Sequence, residues 1–168
     1  VSVGGNKSSD QDTKTTYSQS ADSWEEFDNK SWKQFAQLYK NHNNLLTSMT
    51  NYDNGIISAS GFYTQCENLR DNFRQISTSL NYGTNSEEEA YLSVLESWAL
   101  YGQRAAQDLM DYIDTLKPSK LSSAQSNIQN AKKAVSIAAN NRGKLLAKTN
   151  LTNEQIKSKI EKDMEALN

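Results

Sequence analysis

The chain of 168 residues contains one cysteine, one histidine, one proline and only seven glycines. A single cysteine, Cys66, excludes an intramolecular disulfide and any zinc site built from several cysteines. So little proline and glycine argues against β-sandwiches, barrels and other turn-rich folds. No run of apolar residues approaches the length that a transmembrane helix needs. These shortages favour an all-α chain, in which Cys66 is a small buried hydrophobe on a helix.

The shortage of histidine restricts the possible chemistry. Di-iron sites in four-helix bundles need Glu-x-x-His pairs, and here Tyr39 precedes His42 by three residues. We therefore interpret His42 as a packed imidazole, with haem ligation as the weaker alternative. No G-x-S-x-G elbow, glycine-rich phosphate loop or dinucleotide fingerprint occurs. We predict a non-enzymatic protein with no catalytic residue, no metal site, no cofactor and no small-molecule substrate.

What the sequence does contain is long heptad spacing, clearest between Tyr91 and Leu116. Apolar or small residues recur there at steps of four and three: Tyr91, Leu95, Trp98, Gly102, Ala105, Leu109, Tyr112 and Leu116. This spacing predicts a helix packed lengthwise against other helices. Such a helix is about 40 Å long at 1.5 Å per residue, so it needs partners of similar length.

Capping and turn residues predict where the helices begin and end. Capping-box spacing marks three helix starts, at Ser23 with Glu26, Ser86 with Glu89, and Thr152 with Gln155. Ser58 or Ser60 caps the second helix, and Ser119 caps the fourth. Pro118 closes the third helix. Asn-rich and glycine-containing turns end the first two helices, at residues 51–55 and 81–85.

Four such helices joined by short turns pack most simply as an antiparallel up-down-up-down four-helix bundle. The short C-terminal helix either caps one end or extends the fourth helix. Gly102, Ala105 and Ala106 match the alanines of the fourth helix, so we predict that the third and fourth helices approach closely around these small residues. Residues 21–168 are predicted to be a single helical-bundle domain.

The first 20 residues are mostly Ser, Thr, Gly, Asn, Gln, Lys and Asp, with Tyr17 as the one large apolar side chain. Such a segment cannot bury enough surface to offset the entropy of ordering, so residues 1–20 are predicted to be a flexible polar leader. A polar tether of this kind is typical of exported proteins after removal of a signal peptide. We expect an extracytoplasmic protein, secreted or membrane-tethered through this leader. The Asn-, Ser- and Lys-rich composition favours an AT-rich bacterium.

Charge is unevenly distributed along the chain. Residues 117–168 carry ten basic and four acidic side chains, a net charge of +6, whereas the preceding residues carry eight basic and sixteen acidic ones, a net charge of −8. One interpretation is that acidic and basic helices complement each other within the bundle. The other is that the basic C-terminal region meets an anionic surface. Nucleic acid is not expected, because the protein as a whole is acidic and its lysines lack interleaved arginine and aromatics.

An aromatic cluster near the start of the first helix is the most distinctive feature: Trp24, Phe27, Trp32, Phe35 and Tyr39. Most of it is expected to be core. The main seam of this helix includes Trp24, Phe27 and Phe35, and Trp32 and Tyr39 lie on a secondary stripe beside it. We select Trp32, Tyr39 and Trp24 as candidate binding residues, because tryptophan and tyrosine dominate binding hot spots.

Two functional hypotheses follow. The first is an exported or surface-tethered helical bundle that binds a protein or a cell-envelope component. The alternative is a membrane-active or secretion-system helical protein, such as a toxin component or an exported effector. A membrane-active chain needs an apolar segment that becomes exposed, and the Ile56-Ile57 pair is short for one.

Overall fold

The computed structural model of the chain describes residues 21–168, and regular structure within that range is entirely helical. It comprises α1 (Ala21–Asp53), α2 (Ala59–Ser79), α3 (Ser86–Thr115), α4 (Pro118–Leu146) and α5 (Asn153–Glu165). The predicted all-α class is therefore confirmed for this part of the chain. The predicted leader, residues 1–20, lies outside the described residues.

The helices form a bundle in which α3 has the most extensive contacts. It packs chiefly against α4 and next against α2, while α1 contacts α2, α3 and α4. The same four-and-three spacing occurs in α1, through Phe35, Leu38 and His42, and in α2, through Phe62, Cys66, Leu69 and Phe73. These seams supply the largest fully buried side chains, among them Trp98, Tyr91, Phe35, Phe62 and Phe73. Four-and-three spacing therefore identified the inward face of each long helix correctly, because it keeps one stripe aligned with a neighbouring helix.

Two helix starts agree with the predicted caps. The Ser58 hydroxyl accepts a hydrogen bond from the Gly61 amide, 3.1 Å away, at the start of α2. A complete capping box opens α5, where the Gln155 amide donates to the Thr152 hydroxyl and the Thr152 amide donates to the Gln155 side chain. Each cap satisfies amides that would otherwise lack partners in the first turn.

The caps predicted at Ser23 and Ser86 were wrong. Ser23 lies inside α1, which already includes Ala21. At α3 the N-cap is Asn85 rather than Ser86, and the Asn85 side chain accepts from the amides of Glu87 and Glu88. A short Asn side chain serves this position as well as serine does, so residue type alone could not distinguish two adjacent candidates.

The junction between α3 and α4 is tighter than predicted. Leu116 ends α3 in the left-handed conformation (φ 54°) and is 68% exposed, so the α3 seam stops before it. Pro118 does not merely close α3 but is the first residue of α4, with Lys117, not Ser119, at the N-cap. Proline suits this position because its fixed φ is already helical and the missing amide would lack an intrahelical partner.

Gly102 was expected to let α3 and α4 approach, but it accommodates a side chain of α2 instead. A Cβ atom added at Gly102 would lie 2.6 Å from the Phe73 ring. The extensive contact between α3 and α4 was predicted correctly, and Ala105, Ala106 and Ala131 are all buried. Spacing assigned Gly102 to an inward face, but it could not tell which neighbouring helix that face meets.

The last helix folds back towards α4. A straight extension of α4 would separate Arg142 and Asp163 by about 30 Å. Instead, the Arg142 Nη2 atom lies 2.6 Å from Asp163 Oδ2. Of the two predicted arrangements for α5, an extension of α4 is therefore excluded. No side chain of α5 is fully buried, although Met164 and Leu167 pack against the core.

Candidate functional site

The three candidate binding residues lie in two environments. Trp24 is buried, with 7% of its surface exposed. Trp32 and Tyr39 are half-buried and pack against the edge of the core. Because they are seven residues apart on α1, they lie on the same side of that helix, two turns apart.

The Trp32 indole is held between two other side chains. It stacks on the Phe35 ring, with ring centroids 5.0 Å apart and planes inclined by 21°. The Arg142 guanidinium lies 4.1 Å from the Trp32 ring centroid. This distance is within the range of a cation–π interaction. Part of Trp32 therefore remains accessible while its orientation is fixed from both α1 and α4.

Trp24 has a structural role near the end of α4. The Lys148 ammonium lies 5.0 Å from the Trp24 ring centroid and 2.6 Å from the Glu87 carboxylate. Lys148 therefore connects the start of α1 with the first turn of α3. Since Trp24 is almost covered, its contribution to any external surface is small.

A buried charged cluster lies behind Trp32. The Arg142 side chain donates from Nε to Asp28 Oδ1 (2.9 Å) and from Nη2 to Asp28 Oδ2 (3.0 Å). The same Nη2 atom donates to Asp163. Lys159 lies 3.7 Å from Asp163 and adds a second cation. This cluster, defined as Asp28, Arg142, Asp163 and Lys159, joins α1, α4 and α5.

The two carboxylates determine the charge state of Arg142. Burial alone would lower the Arg142 pKa, but hydrogen bonds and charge from Asp28 and then Asp163 outweigh burial and raise that pKa above its ordinary value. Arg142 continues the four-and-three spacing of α4, four residues after Ala138 and three before Leu145. A charged residue on an apolar seam was the available signal, because such a residue must find buried partners.

Tyr91 lies in the same part of the core, but its polar group, unlike that of Arg142, has no hydrogen-bond partner among the described residues. Its hydroxyl is buried and makes no hydrogen bond within residues 21–168. Burial, with the Asp28 charge second, raises the Tyr91 pKa above its ordinary range. Tyr91 therefore remains a neutral phenol, and its ring packs edge-on against Phe27 at 6.1 Å.

His42 is a core residue, as the packed-imidazole interpretation predicted. It is 5% exposed, and its ring meets the Trp98 ring edge-on at 6.3 Å. The His42 Nδ1 and Trp98 Nε1 atoms both lack hydrogen-bond partners in the described chain. Burial, and then the charge of Lys132, lower the His42 pKa. The imidazole is therefore held in its neutral form.

Cys66 is fully buried on the seam of α2, as predicted for a small hydrophobe. Burial raises the pKa of its thiol to about 12. Since the thiolate is the reactive form, this cysteine has little nucleophilic character. Across residues 21–168 no group of three or more His, Cys, Asp or Glu side chains is placed to hold a metal ion.

Basic residues of the C-terminal region pair with acidic residues elsewhere in the bundle. Lys120 lies 3.2 Å from Asp111 of α3, and Arg142 pairs with Asp28 of α1. These contacts agree with the interpretation that the helices complement each other in charge. Lys132, Lys133 and Lys144 make no salt bridge to any described residue, so an anionic partner for them remains a prediction.

Within residues 21–168, no helix is both long enough and apolar enough to cross a membrane. Comparison with models of known protein families, with curated proteins and with solved structures gave no match for this chain.

Proposed function

We propose that this protein is a non-enzymatic helical bundle, exported or tethered to the cell surface, that acts by binding a protein or cell-envelope partner. The observation that carries this proposal is the fixed, half-exposed indole of Trp32. An aromatic side chain that is already oriented loses little entropy on binding, and such residues dominate hot spots.

Tyr39 extends this surface along α1. It is half-buried, and so is Leu46, seven residues further on. Trp32, Tyr39 and Leu46 thus form one stripe on α1, which we name the aromatic stripe. Arg142 of α4 covers part of the Trp32 ring and so borders one end of the stripe. A half-exposed apolar strip of this kind fits a partner that supplies an apolar anchor.

The arrangement of the helices that presents this stripe is also part of the proposal. We propose an antiparallel up-down-up-down four-helix bundle for α1 to α4. Support comes from the short connections, residues 54–58, 80–85 and 116–117, and from the contacts of α3 with both α2 and α4. Short connections favour antiparallel neighbours.

The experiment compares two tyrosines in similar settings. Tyr39 and Tyr63 are both half-buried and pack at the edge of the core, on α1 and α2 respectively. A photo-crosslinking residue placed at Tyr39 or Tyr63 is exposed to the envelope fraction of the source cells. We expect a defined adduct from position 39 that Trp32→Ala abolishes, and none from position 63. Equal crosslinking at both positions would contradict the aromatic stripe as the interface.

A membrane-active role is the second candidate, and α5 is the observation that favours it. Ile156, Ile160 and Met164 of α5 are all only half-buried, and Lys157, Lys159 and Lys162 lie on the same helix. A short amphipathic helix with lysines on its polar face is typical of membrane-surface binding. Co-sedimentation with anionic liposomes at low and high salt tests it: salt-sensitive binding supports this role, and absence of binding supports a protein partner.

A further inference from the structure

A groove between α1 and α2 is lined almost entirely by uncharged polar side chains. It consists of two adjoining cavities of about 400 and 280 Å³ that share Asn72. We name it the amide groove. Its walls are formed by side chains from residues 37–51 of α1 and residues 65–79 of α2.

The lining is unusual for this protein because it contains no ionisable residue, although 23% of the chain is charged. Leu69 and Ile76, both buried, are its only apolar members. No aromatic side chain lines it. The groove therefore has neither the charges that recognise phosphates or acidic chains nor the flat rings on which nucleobases stack.

Its polar residues repeat with the same spacing as the core seams. On α1 they fall at 37, 41, 44, 48 and 51, and on α2 at 65, 68, 72, 75 and 79. Steps of four and three keep them on one side of each helix, so each helix presents a continuous polar stripe to the groove. Asn41 and Tyr39 are two positions apart, about 200° around the axis of α1, so the amide groove and the aromatic stripe face different directions.

Most of the hydrogen-bonding capacity of the groove is unused. One bond between lining side chains crosses it, from Asn72 Nδ2 to Asn41 Oδ1 at 3.2 Å. At one end, Gln34 Nε2 of α1 also donates to the main-chain oxygen of Ser79, 3.0 Å away. Eight lining residues have side chains that make no hydrogen bond to any described residue: Gln37, Asn44, Thr47, Ser48, Asn51, Gln65, Asn68 and Gln75. A side-chain amide offers both donors and an acceptor, so the groove can pair with a ligand that does the same at regular intervals.

We propose that the amide groove binds an extended, uncharged polypeptide segment of a partner protein through that segment's main chain. A peptide group presents one donor and one acceptor, which matches a carboxamide without requiring charge. From Gln37 to Asn51 the groove spans about 21 Å at 1.5 Å per residue, which accommodates about six extended residues at 3.3 Å each. The exposed bond between Asn72 and Asn41 opens to let the segment run from one half of the groove to the other. Leu69 and Ile76 contact the segment's side chains, so main-chain bonds supply affinity and these two contacts select among sequences.

The test uses the full chain and a displayed library of random octapeptides that lack Asp, Glu, Lys and Arg. The binding of an enriched peptide is then measured by fluorescence anisotropy. In the double variant Asn44→Asp, Asn68→Asp, two exposed amides on opposite walls lose their donors and gain charge. We expect this variant to weaken binding about tenfold or more, as for one or two lost hydrogen bonds. Binding to the unaltered chain should be independent of salt, because no ion pair forms.

The control is Asn140→Asp, which makes the same change at an exposed position on α4 and should leave binding unchanged. Tyr39→Ala should also leave it unchanged, which separates this groove from the aromatic stripe: failure of one surface does not imply failure of the other. The proposal is overturned if no enriched peptide is sensitive to the double variant. It is also overturned if no peptide binds but a neutral N-acetylglucosamine oligomer does, and the double variant abolishes that binding. The groove would then recognise a glycan.

Discussion

Asp28 of α1 and Arg142 of α4 form two parallel hydrogen bonds, 2.9 and 3.0 Å long, across 114 residues of sequence. Their side chains are only 2% and 3% exposed. A buried ion pair of this geometry fixes how two helices meet, because either charge alone would be costly to bury. It also brings Arg142 onto Trp32, so the candidate binding surface depends on a charge pair within the core.

We expect Arg142→Met to lower the free energy of unfolding by about 3–5 kcal/mol, since it leaves the Asp28 carboxylate buried without a counter-charge. Urea denaturation measures the loss. The double variant Asp28→Leu, Arg142→Met should lose less than the sum of the single variants, because neither charge is then stranded.

Arg74 provides the control for Arg142. It lies 3.8 Å from Asp71, and both side chains are 54% exposed. Arg74→Met should change the free energy of unfolding by less than about 1 kcal/mol, as for other exposed pairs. Equal losses from Arg74→Met and Arg142→Met would contradict a structural role for the buried cluster.

The attachment of α5 depends on Asp163, whose carboxylate meets both Arg142 and Lys159. We expect Asp163→Asn to weaken this attachment by about 1.5–3 kcal/mol, the value of a hydrogen bond to a charged group. Because α5 has no fully buried side chain, hydrogen exchange should accelerate in residues 153–165 and little elsewhere. Glu161→Gln, at an exposed pair with Lys157, should leave exchange unchanged. Uniform acceleration across all helices would contradict local release of α5.

The inward faces of the helices could be predicted from sequence because they depend on the four-and-three spacing of apolar residues, which recurs along the whole helix. Phe73 and Leu38, for example, are both fully buried as their spacing required. Helix ends depend instead on single residues, and neighbouring Asn85 and Ser86 are almost equivalent as caps. Spacing therefore predicts the long elements reliably and their exact limits less well.

The candidate site could be predicted only in part. Trp32 was selected for its position on the secondary stripe, but its contact with Arg142 joins residues far apart in sequence. Such a contact depends on how α1 and α4 are aligned, which no local pattern encodes. The amide groove was missed for a related reason: each of its polar residues resembles ordinary helix surface until α1 and α2 are placed side by side.

Gly102 and Gly143 form a matched pair for testing core packing. A Cβ at Gly102 would lie 2.6 Å from the Phe73 ring, whereas one at Gly143 would meet nothing within 4 Å. Alanine favours a helix over glycine by about 1 kcal/mol, so Gly143→Ala should stabilise the protein by about that amount. Gly102→Ala should lose about 1–3 kcal/mol to overpacking, which outweighs the gain. Thermal unfolding measures both, and stabilisation by both would contradict the close contact with Phe73.

The pH dependence of stability should report on His42. Burial, and secondarily Lys132, hold the His42 pKa below its ordinary value of 6.5, so the unfolded chain binds this proton more tightly than the folded chain does. The free energy of unfolding is therefore highest above pH 6.5 and falls as the pH decreases from there towards the folded-state pKa. Urea denaturation between about pH 5 and pH 7.5, above the range in which ordinary carboxylates titrate, should show this slope. His42→Gln should remove it whatever the variant's absolute stability, because glutamine has no proton to gain; an unchanged slope would mean that another group is responsible.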